Sequence, residues 1–165
     1  MSKKDIIIFT DGAKPNNQNN KSNIGGIGIY IYYNDGTTKN ISEKITTNKV
    51  TNQVCELLAC ITGLESIINN NNNNIIIYTD SMYVINSITE WSSKWSKNNW
   101  KKANNKEIEN KELIMKLYYL SLKYDVEYRH VKAHQRKPSE SSNDYFEWYG
   151  NNIADTLATG ALFTI

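Results

Sequence analysis

The chain of 165 residues contains 39% hydrophobic and 22% charged residues and has a formal net charge of +2. A chain of this length can bury one core without disulfides or structural metals, so we expect a single domain that spans residues 1–165. The small net charge neither establishes nor excludes a nucleic-acid partner, which must be judged from where the lysines lie. No stretch has the character of a signal peptide or a membrane span, which predicts a soluble, intracellular protein without membrane contact.

The first predicted element is a buried strand that ends at an aspartate. Residues 5–12 form an apolar run with β-branched side chains and a turn signal after it, and Asp11 lies at its carboxyl end. A strand followed by an ordinary Asp-Gly turn has the same pattern. Residues 24–33, which have glycines near their start, and residues 37–46 predict two more strands, joined by a hairpin turn at 34–36. The glycines allow a ligand to approach the backbone closely.

A helix is predicted from Thr51 onward. Its apolar residues recur every three or four positions, as on a helix that packs against a sheet: Val54, Leu57, Leu58, Ile61, Leu64 and Ile68. Glu56 lies beside this apolar stripe, where a glutamate is usually a solvated flanking residue. Cys55 and Cys60 face different sides of the same helix, so we expect reduced core thiols rather than a disulfide or a zinc site.

A second apolar run repeats the pattern around Asp11. Residues 75–79 form a predicted strand followed by Asp80 and a small residue, and a helix is expected over 81–88. A strand, helix, strand crossover pairs its strands in parallel. Two neighbouring strands that end in aspartates place both carboxylates side by side at one edge of the sheet, a geometry that hard divalent cations favour.

Residues 90–111 combine tryptophans with lysines. Three tryptophans interleave with five lysines: Trp91, Trp95 and Trp100 with Lys94, Lys97, Lys101, Lys102 and Lys106. One interpretation is a basic helix whose tryptophans dock on the core. The other is a groove that takes the phosphates and sugars of a nucleic acid. The two interpretations are compatible, and the sequence leaves both open.

The remaining elements place a histidine and a further aspartate near the end of the chain. We predict a helix over 107–123, a strand over 126–131 and a terminal helix whose first turn carries Asp155. An aspartate in a first turn normally compensates the helix dipole. His130 lies on the strand and is interpreted as structural, whereas His134 lies in the loop that follows, where an ordinary exposed histidine is the alternative.

The order of these elements and carboxylates resembles type 1 ribonuclease H over nearly the whole chain. The matching segments are residues 10–12, 51–57, 78–81, 91–110, 130–134 and 151–155. The resemblance implies an α/β, ribonuclease H-like fold: a five-stranded mixed sheet of order 3-2-1-4-5 flanked by helices, with a basic, tryptophan-containing protrusion. It also implies an endonuclease that hydrolyses the RNA strand of RNA/DNA hybrids and leaves 5′-phosphate and 3′-hydroxyl ends.

The resemblance further implies a metal-dependent site. In such enzymes two Mg²⁺ ions about 3.5 to 4 Å apart bracket the scissile phosphate, one activating a water and the other stabilising the leaving oxygen. By resemblance, Asp11 bridges both ions and Asp155 completes the site of the water-activating ion. Glu56 and Asp80 hold the other ion, and Mn²⁺ is an open alternative. His134 takes a catalytic role in proton shuttling or product departure, which suits a side chain that exchanges protons near neutral pH.

The same resemblance implies contacts to both strands of the hybrid. RNA selectivity requires contacts to the 2′-hydroxyl, the group that distinguishes RNA from DNA. The residues implied for the RNA strand are Asn17, Asn52 and Gln53, with Asn16 as a rival to Asn17. The residues implied for the DNA strand are Thr51 and Asn110 in a phosphate pocket, Tyr83 and Trp91 in a sugar channel with Ala103 where a small residue is usual, and Lys101 and Lys102 as phosphate contacts.

The sequence departs from the compact members of this family between His134 and Asp155. This interval is longer and holds an insertion with Arg136, Lys137, Trp148 and Tyr149. The insertion leaves the position of His134 relative to the metals open. No hybrid-binding module is expected ahead of Asp11.

Three other functions fit the same fold: a noncatalytic hybrid-binding module, a junction resolvase or transposase-type nuclease, and a ribonuclease H portion that works with a polymerase. The presence of all four carboxylates disfavours the first. The tryptophan and lysine segment and the Thr-Asn-Gln-x-x-Glu sequence at 51–56 disfavour the second. A polymerase partner stays open, a monomer is the default expectation, and primer removal, R-loop clearance and viral replication are all open as biological roles.

Overall fold

The computed structural model describes residues 4–15, 23–67 and 73–164, so Asn16, Asn17 and Ile68 lie outside the described residues. The strands are β1 (Lys4–Ala13), β2 (Ile24–Tyr33), β3 (Thr38–Thr46), β4 (Asn73–Thr79) and β5 (Glu127–His130). The helices are α1 (Asn52–Ser66), α2 (Met82–Asn86), α3 (Ser92–Ser96), α4 (Lys111–Lys123) and α5 (Tyr145–Ala161), with a π-helical turn, Ser87–Trp91, between α2 and α3.

The described strands form one sheet of order β3-β2-β1-β4-β5, which confirms the order that the resemblance implied. β2 pairs antiparallel with both β1 and β3, whereas β4 pairs parallel with both β1 and β5. The predicted crossover is therefore confirmed. β1 lies at the centre, where Ile8 is flanked by Ile31 and Ile77, and none of these three side chains is exposed.

Two cores lie on opposite faces of the sheet, because successive residues of a strand point to opposite sides. Ile6 and Ile8 of β1 belong to the larger core, which includes residues of α1 and α4. Phe9 belongs to the smaller core, against which Phe146 and Ile153 of α5 pack. β1 is thus buried on both faces, as its continuous apolar run predicts.

The glycines of β2 bring α5 close to the sheet. A Cβ atom on Gly26 would collide with the carbonyl oxygen of Ala158, and one on Gly28 with the carbonyl oxygen of Ala154. The close backbone approach expected for a ligand is therefore made by a helix instead. This contact fixes the position of α5 over the carboxyl end of β1.

Two helix boundaries near the tryptophan segment differ from the prediction. The helix predicted over 81–88 continues through the π-helical turn and α3, where Trp95 packs on the larger core. The helix predicted over 107–123 begins only at Lys111, because Asn110 has a left-handed backbone with a φ of 58° that a helix cannot continue.

The terminal helix also begins earlier than predicted, at Tyr145. Asp155 therefore lies well inside α5, and its predicted placement in the first turn is wrong. Trp148 and Tyr149, two residues of the insertion, lie in the first turns of this helix. The reason is tertiary packing, since Phe146 contacts Phe9 of the smaller core. No helix in the described part of the chain is long and apolar enough to cross a membrane.

Candidate active site

Three carboxylates from three elements converge at the carboxyl end of β1. Asp11 lies on β1, Asp80 directly follows the parallel strand β4, and Glu56 lies on α1. Each offers an oxygen atom that lies within 4.8 Å of the oxygens of the other two. The side-by-side placement predicted for the two aspartates is therefore present, and Glu56 joins them instead of lying on a solvated flank.

The position of Glu56 depends on Gly12 and on the start of α1. The hydroxyl of Thr51 accepts a hydrogen bond from the amide of Val54 at 3.1 Å and so caps the helix. A Cβ atom on Gly12 would lie 2.7 Å from the Cβ of Cys55, so glycine is needed for α1 to lie this close to β1. The amide of Gly12 then donates hydrogen bonds to Asp11 Oδ1 at 2.9 Å and to Glu56 Oε1 at 3.1 Å.

Asp155 is the fourth carboxylate of the site and comes from α5. Its carboxyl group lies near that of Asp11 and contributes to raising the pKa of Asp11. Both residues line one small cavity together with Asp80 and His134. The glycine contacts between β2 and α5 make this approach possible, because Gly28 is the β2 residue opposite Asp11.

Burial and mutual repulsion make ionisation of these carboxylates unfavourable. The pKa of Asp11 is raised, mainly by burial and then by the negative charges of Glu56 and Asp80. The pKa of Glu56 is raised by burial and by Asp80. The pKa of Asp80 is raised by burial and by Asp155, and His134 and His130 partly offset this effect. The cluster therefore favours positive charge at its centre.

The donor set fits a divalent cation. Glu56 Oε2 and Asn151 Oδ1 are buried without a hydrogen-bond partner among the described residues, and Asn151 lines the same cavity as Asp155. None of the ion pairs found in the described part of the chain involves the four carboxylates. Carboxylate and amide oxygens are hard ligands of the kind that Mg²⁺, Mn²⁺ and Ca²⁺ prefer.

His134 lies beside the carboxylates despite the long interval before Asp155. It is exposed, has a left-handed backbone with a φ of 54° and lines the cavity that contains Asp11, Asp80 and Asp155. Trp148 lines the same cavity from the first turns of α5. The insertion therefore folds back against the site.

A second cavity of about 420 Å³ lies between α1 and the tryptophan segment. It is lined by Gln53, Tyr83, Trp91, Lys94, Trp95, Lys102, Ile108 and Glu109. Asn110 donates a hydrogen bond to the hydroxyl of Tyr83 at 3.1 Å, which joins two of the residues implied for the DNA strand. The cavity combines aromatic faces with lysines, as a groove for a nucleic-acid backbone does.

One tryptophan of this segment docks on the core and two line the second cavity, so each of the two interpretations left open by the sequence applies to part of the segment. Trp100 is 8% exposed and donates a hydrogen bond to the hydroxyl of Tyr119 at 3.3 Å, so it docks on the core. Trp91 and Trp95 are half-buried and line the second cavity. Lys101 is exposed near this cavity without lining it.

The residues predicted to contact the RNA strand lie at the start of α1 or outside the residues that the structure describes. Asn52 and Gln53 are exposed in the first turn of α1, beside the cap residue Thr51. Asn17 and its rival Asn16 are not among the described residues. Sequence reasoning missed Asn151 as a residue of the site, although its spacing of four from Asp155 places both on one helix face. The contact of Trp148 with the His134 loop is not local, so no sequence spacing indicates it.

The chain is similar to known proteins in both sequence and fold. The sequence model of the RNase H family matches residues 3–163. The ribonuclease H of Dichelobacter nodosus is 38% identical over 160 residues, covering 95% of this chain and 91% of the relative. The ribonuclease H of Francisella philomiragia is 40% identical over 162 residues, covering 97% and 92%. A foamy viral protease-reverse transcriptase in complex with an RNA/DNA hybrid is similar in fold, with a TM-score of 0.77 and 23% identity over 99% of this chain and 20% of that chain.

Proposed function

Since this chain belongs to the ribonuclease H family and is a ribonuclease, we propose that it is an endonuclease that hydrolyses the RNA strand of RNA/DNA hybrids. The observation that carries this proposal is the convergence of Asp11, Glu56 and Asp80, with Asp155 against Asp11. The aromatic and basic cavity beside α1 supports a nucleic-acid substrate. The foamy viral enzyme of the same fold, solved with an RNA/DNA hybrid, gives this substrate class further support.

The carboxylates would hold two divalent cations, which we propose to be Mg²⁺, with Mn²⁺ as the alternative. Asp11 would be shared between the two sites, Asp155 would complete one, and Glu56 and Asp80 would complete the other. Such cations supply activation of a water and stabilisation of the leaving oxygen, which gives 5′-phosphate and 3′-hydroxyl ends. The unpartnered Glu56 Oε2 and the raised pKa values of Asp11 and Glu56 support this assignment.

The other residues of the site would bind substrate and move protons. His134 lines the cavity together with Asp11, Asp80 and Asp155 and would take or return a proton as the product leaves. Asn52 and Gln53 are exposed at the start of α1 and would contact the 2′-hydroxyl groups of the RNA strand, together with Asn17.

The DNA strand would occupy the second cavity. Tyr83 and Trp91 offer faces for its sugars, and Thr51 with Asn110 would hold one phosphate. Lys101 and Lys102, both exposed, would attract neighbouring phosphates.

The experiment is cleavage of an end-labelled RNA/DNA hybrid with Mg²⁺, beside single-stranded RNA, duplex RNA, duplex DNA and a four-way junction, with a chelator control. We expect metal-dependent cutting of the RNA strand of the hybrid only. Asp11→Asn should abolish cutting. Asp125→Asn is a matched control, because Asp125 is exposed and has a φ of 50°, which asparagine tolerates.

Three contrary results are possible, and each has its own meaning. Hybrid binding without cutting would point to the noncatalytic binding module. Cutting of junctions in preference to hybrids would point to a resolvase. Full activity of Asp11→Asn would contradict the metal assignment.

A further inference from the structure

The indole of Trp148, in the insertion, contacts the loop that carries His134. Trp148 Nε1 donates a hydrogen bond to the carbonyl oxygen of Gln135 at 3.1 Å, and Gln135 directly follows His134. The ammonium group of Lys137 lies 5.9 Å from the centre of the Trp148 ring. Trp148 thus contacts two residues of the loop that come after His134, Gln135 and Lys137.

Trp148 lines two cavities, and Gln135 lines both of them as well. One is the carboxylate cavity, which contains Asp11, Asp80, His134 and Asp155. The other, of about 230 Å³, is lined among others by Lys132, Arg136 and Asp144. A change in the position of this indole would therefore change the shape of the carboxylate cavity.

The turn of α5 that carries Trp148 is anchored on the sheet. Phe146 packs edge-on against Phe9 and Tyr32, with ring centroids 5.5 and 5.2 Å apart. Gly150 leaves room for the ring of Phe9, which a Cβ atom at that position would meet. Phe9 and Asp11 both belong to β1. The same strand therefore supports the start of α5 and carries a carboxylate of the proposed metal site.

The His134 segment has little support of its own. The amide of Val131 donates a hydrogen bond to the carbonyl oxygen of Thr79 at 3.0 Å, but residues 132–138 contain no helix or strand. Within the segment, Gln135 donates a long bond of 3.4 Å to the carbonyl oxygen of Ala133. In the described part of the chain, residues 133–138 are joined to α5 by one hydrogen bond, from Trp148 Nε1 to the carbonyl oxygen of Gln135.

We propose that Trp148 is a positioning residue that holds His134 over the carboxylate cavity through its bond to the carbonyl of Gln135. The insertion then ties the histidine to the helix that carries Asp155. The inference rests on the proposed function, because it gives Trp148 a part in the step that His134 performs.

The test is the substitution Trp148→Phe, which keeps an aromatic ring and removes the N–H donor. The steady-state rate of hybrid cleavage with Mg²⁺ is measured for this variant alone and in a His134→Ala background. We expect a fall of about fivefold alone, equivalent to about 1 kcal/mol for one neutral hydrogen bond, with KM unchanged. In the His134→Ala background we expect no further fall. An equal fall in both backgrounds, or none in either, would overturn the proposal.

Tyr145→Phe is the matched control. Its ring lies on the same helix and 5.8 Å from the ring of Trp148, but its hydroxyl makes no hydrogen bond to the described residues of the loop. We expect it to cleave hybrid at the wild-type rate. A fivefold loss in this control would show that any disturbance of the helix start lowers activity, which would contradict a role specific to the indole N–H.

A second measurement does not depend on activity. Exchange of the Trp148 indole proton with solvent, followed by NMR in the wild-type protein, should be slowed relative to an exposed indole. Unprotected exchange would overturn the proposal even if the enzyme cuts hybrids. Protected exchange in a protein that cuts no hybrid would instead locate the failure in the proposed function.

Discussion

Gly28 lies opposite Asp11 in the sheet, and this pairing is what admits Asp155 to the site. A Cβ atom at Gly28 would meet the carbonyl of Ala154, the residue before Asp155. The carboxyl end of β1 and the helix that carries Asp155 can thus lie close together because position 28 has no side chain.

Gly28→Ala should therefore lower both stability and activity. The added methyl group must push α5 away from β2, which costs about 1 to 3 kcal/mol in the free energy of unfolding and moves Asp155 from Asp11. Urea denaturation and the hybrid cleavage rate measure the two effects. Gly160→Ala, on α5, is the control, because a Cβ atom at position 160 meets nothing within 4 Å. It should leave activity unchanged, and a neutral result for Gly28→Ala would contradict the packing argument.

The pH dependence of stability without metal should follow from the buried carboxylates. The pKa values of Asp11, Glu56 and Asp80 are raised in the folded protein. A carboxyl group whose pKa is raised in the folded protein stabilises the fold fully at pH values below its pKa in the unfolded chain, near pH 4. This stabilisation is lost as the pH rises through its pKa in the folded protein. In chelator, the melting temperature should therefore fall from about pH 5 towards pH 9.

Two comparisons separate this effect from general alkaline destabilisation. Millimolar Mg²⁺ should restore the melting temperature most strongly at high pH, where the carboxylates bind a cation without first losing protons. Asp11→Asn should have a flatter profile in chelator, whereas Asp125→Asn should follow the wild type. A melting temperature that rises with pH in chelator would show that these carboxylates are not buried together.

The meeting of Asp11 and Asp80 could be predicted from the residues alone, whereas Glu56 and Asp155 were assigned to the site through the family resemblance. Asp11 and Asp80 each follow an apolar run, and a crossover makes those strands parallel neighbours, so the two residues had to meet. The start of α5 was missed because the aromatic stretch 145–150 has no clear helical period, and its helix depends on contacts with Phe9. Trp91 and Trp100 look alike in sequence. They differ in tertiary contacts that no local pattern shows, because Trp100 is buried in the larger core and Trp91 lines the second cavity.

Replacing Lys101 and Lys102 together by alanine should weaken hybrid binding and flatten its salt dependence. Each phosphate contact contributes roughly one unit to the slope of log K against log salt, so the slope should fall by about two. Fluorescence anisotropy in chelator, which prevents cutting, gives the affinity at several salt concentrations. The control replaces Lys39 and Lys123, which are exposed lysines on β3 and α4. Equal slopes for the two double variants would remove Lys101 and Lys102 from the interface.

His134→Ala should slow repeated turnover more than the first cut. The imidazole lies at the exposed rim of the carboxylate cavity, so the four carboxylates keep their geometry without it. If it moves a proton as the product leaves, its loss lowers the steady-state rate by about 10- to 100-fold, in the range of general acid-base catalysis. Single-turnover cleavage with enzyme in excess should change by less. Equal losses in both regimes would place His134 in the bond-breaking step, and no loss in either would leave it an ordinary exposed histidine.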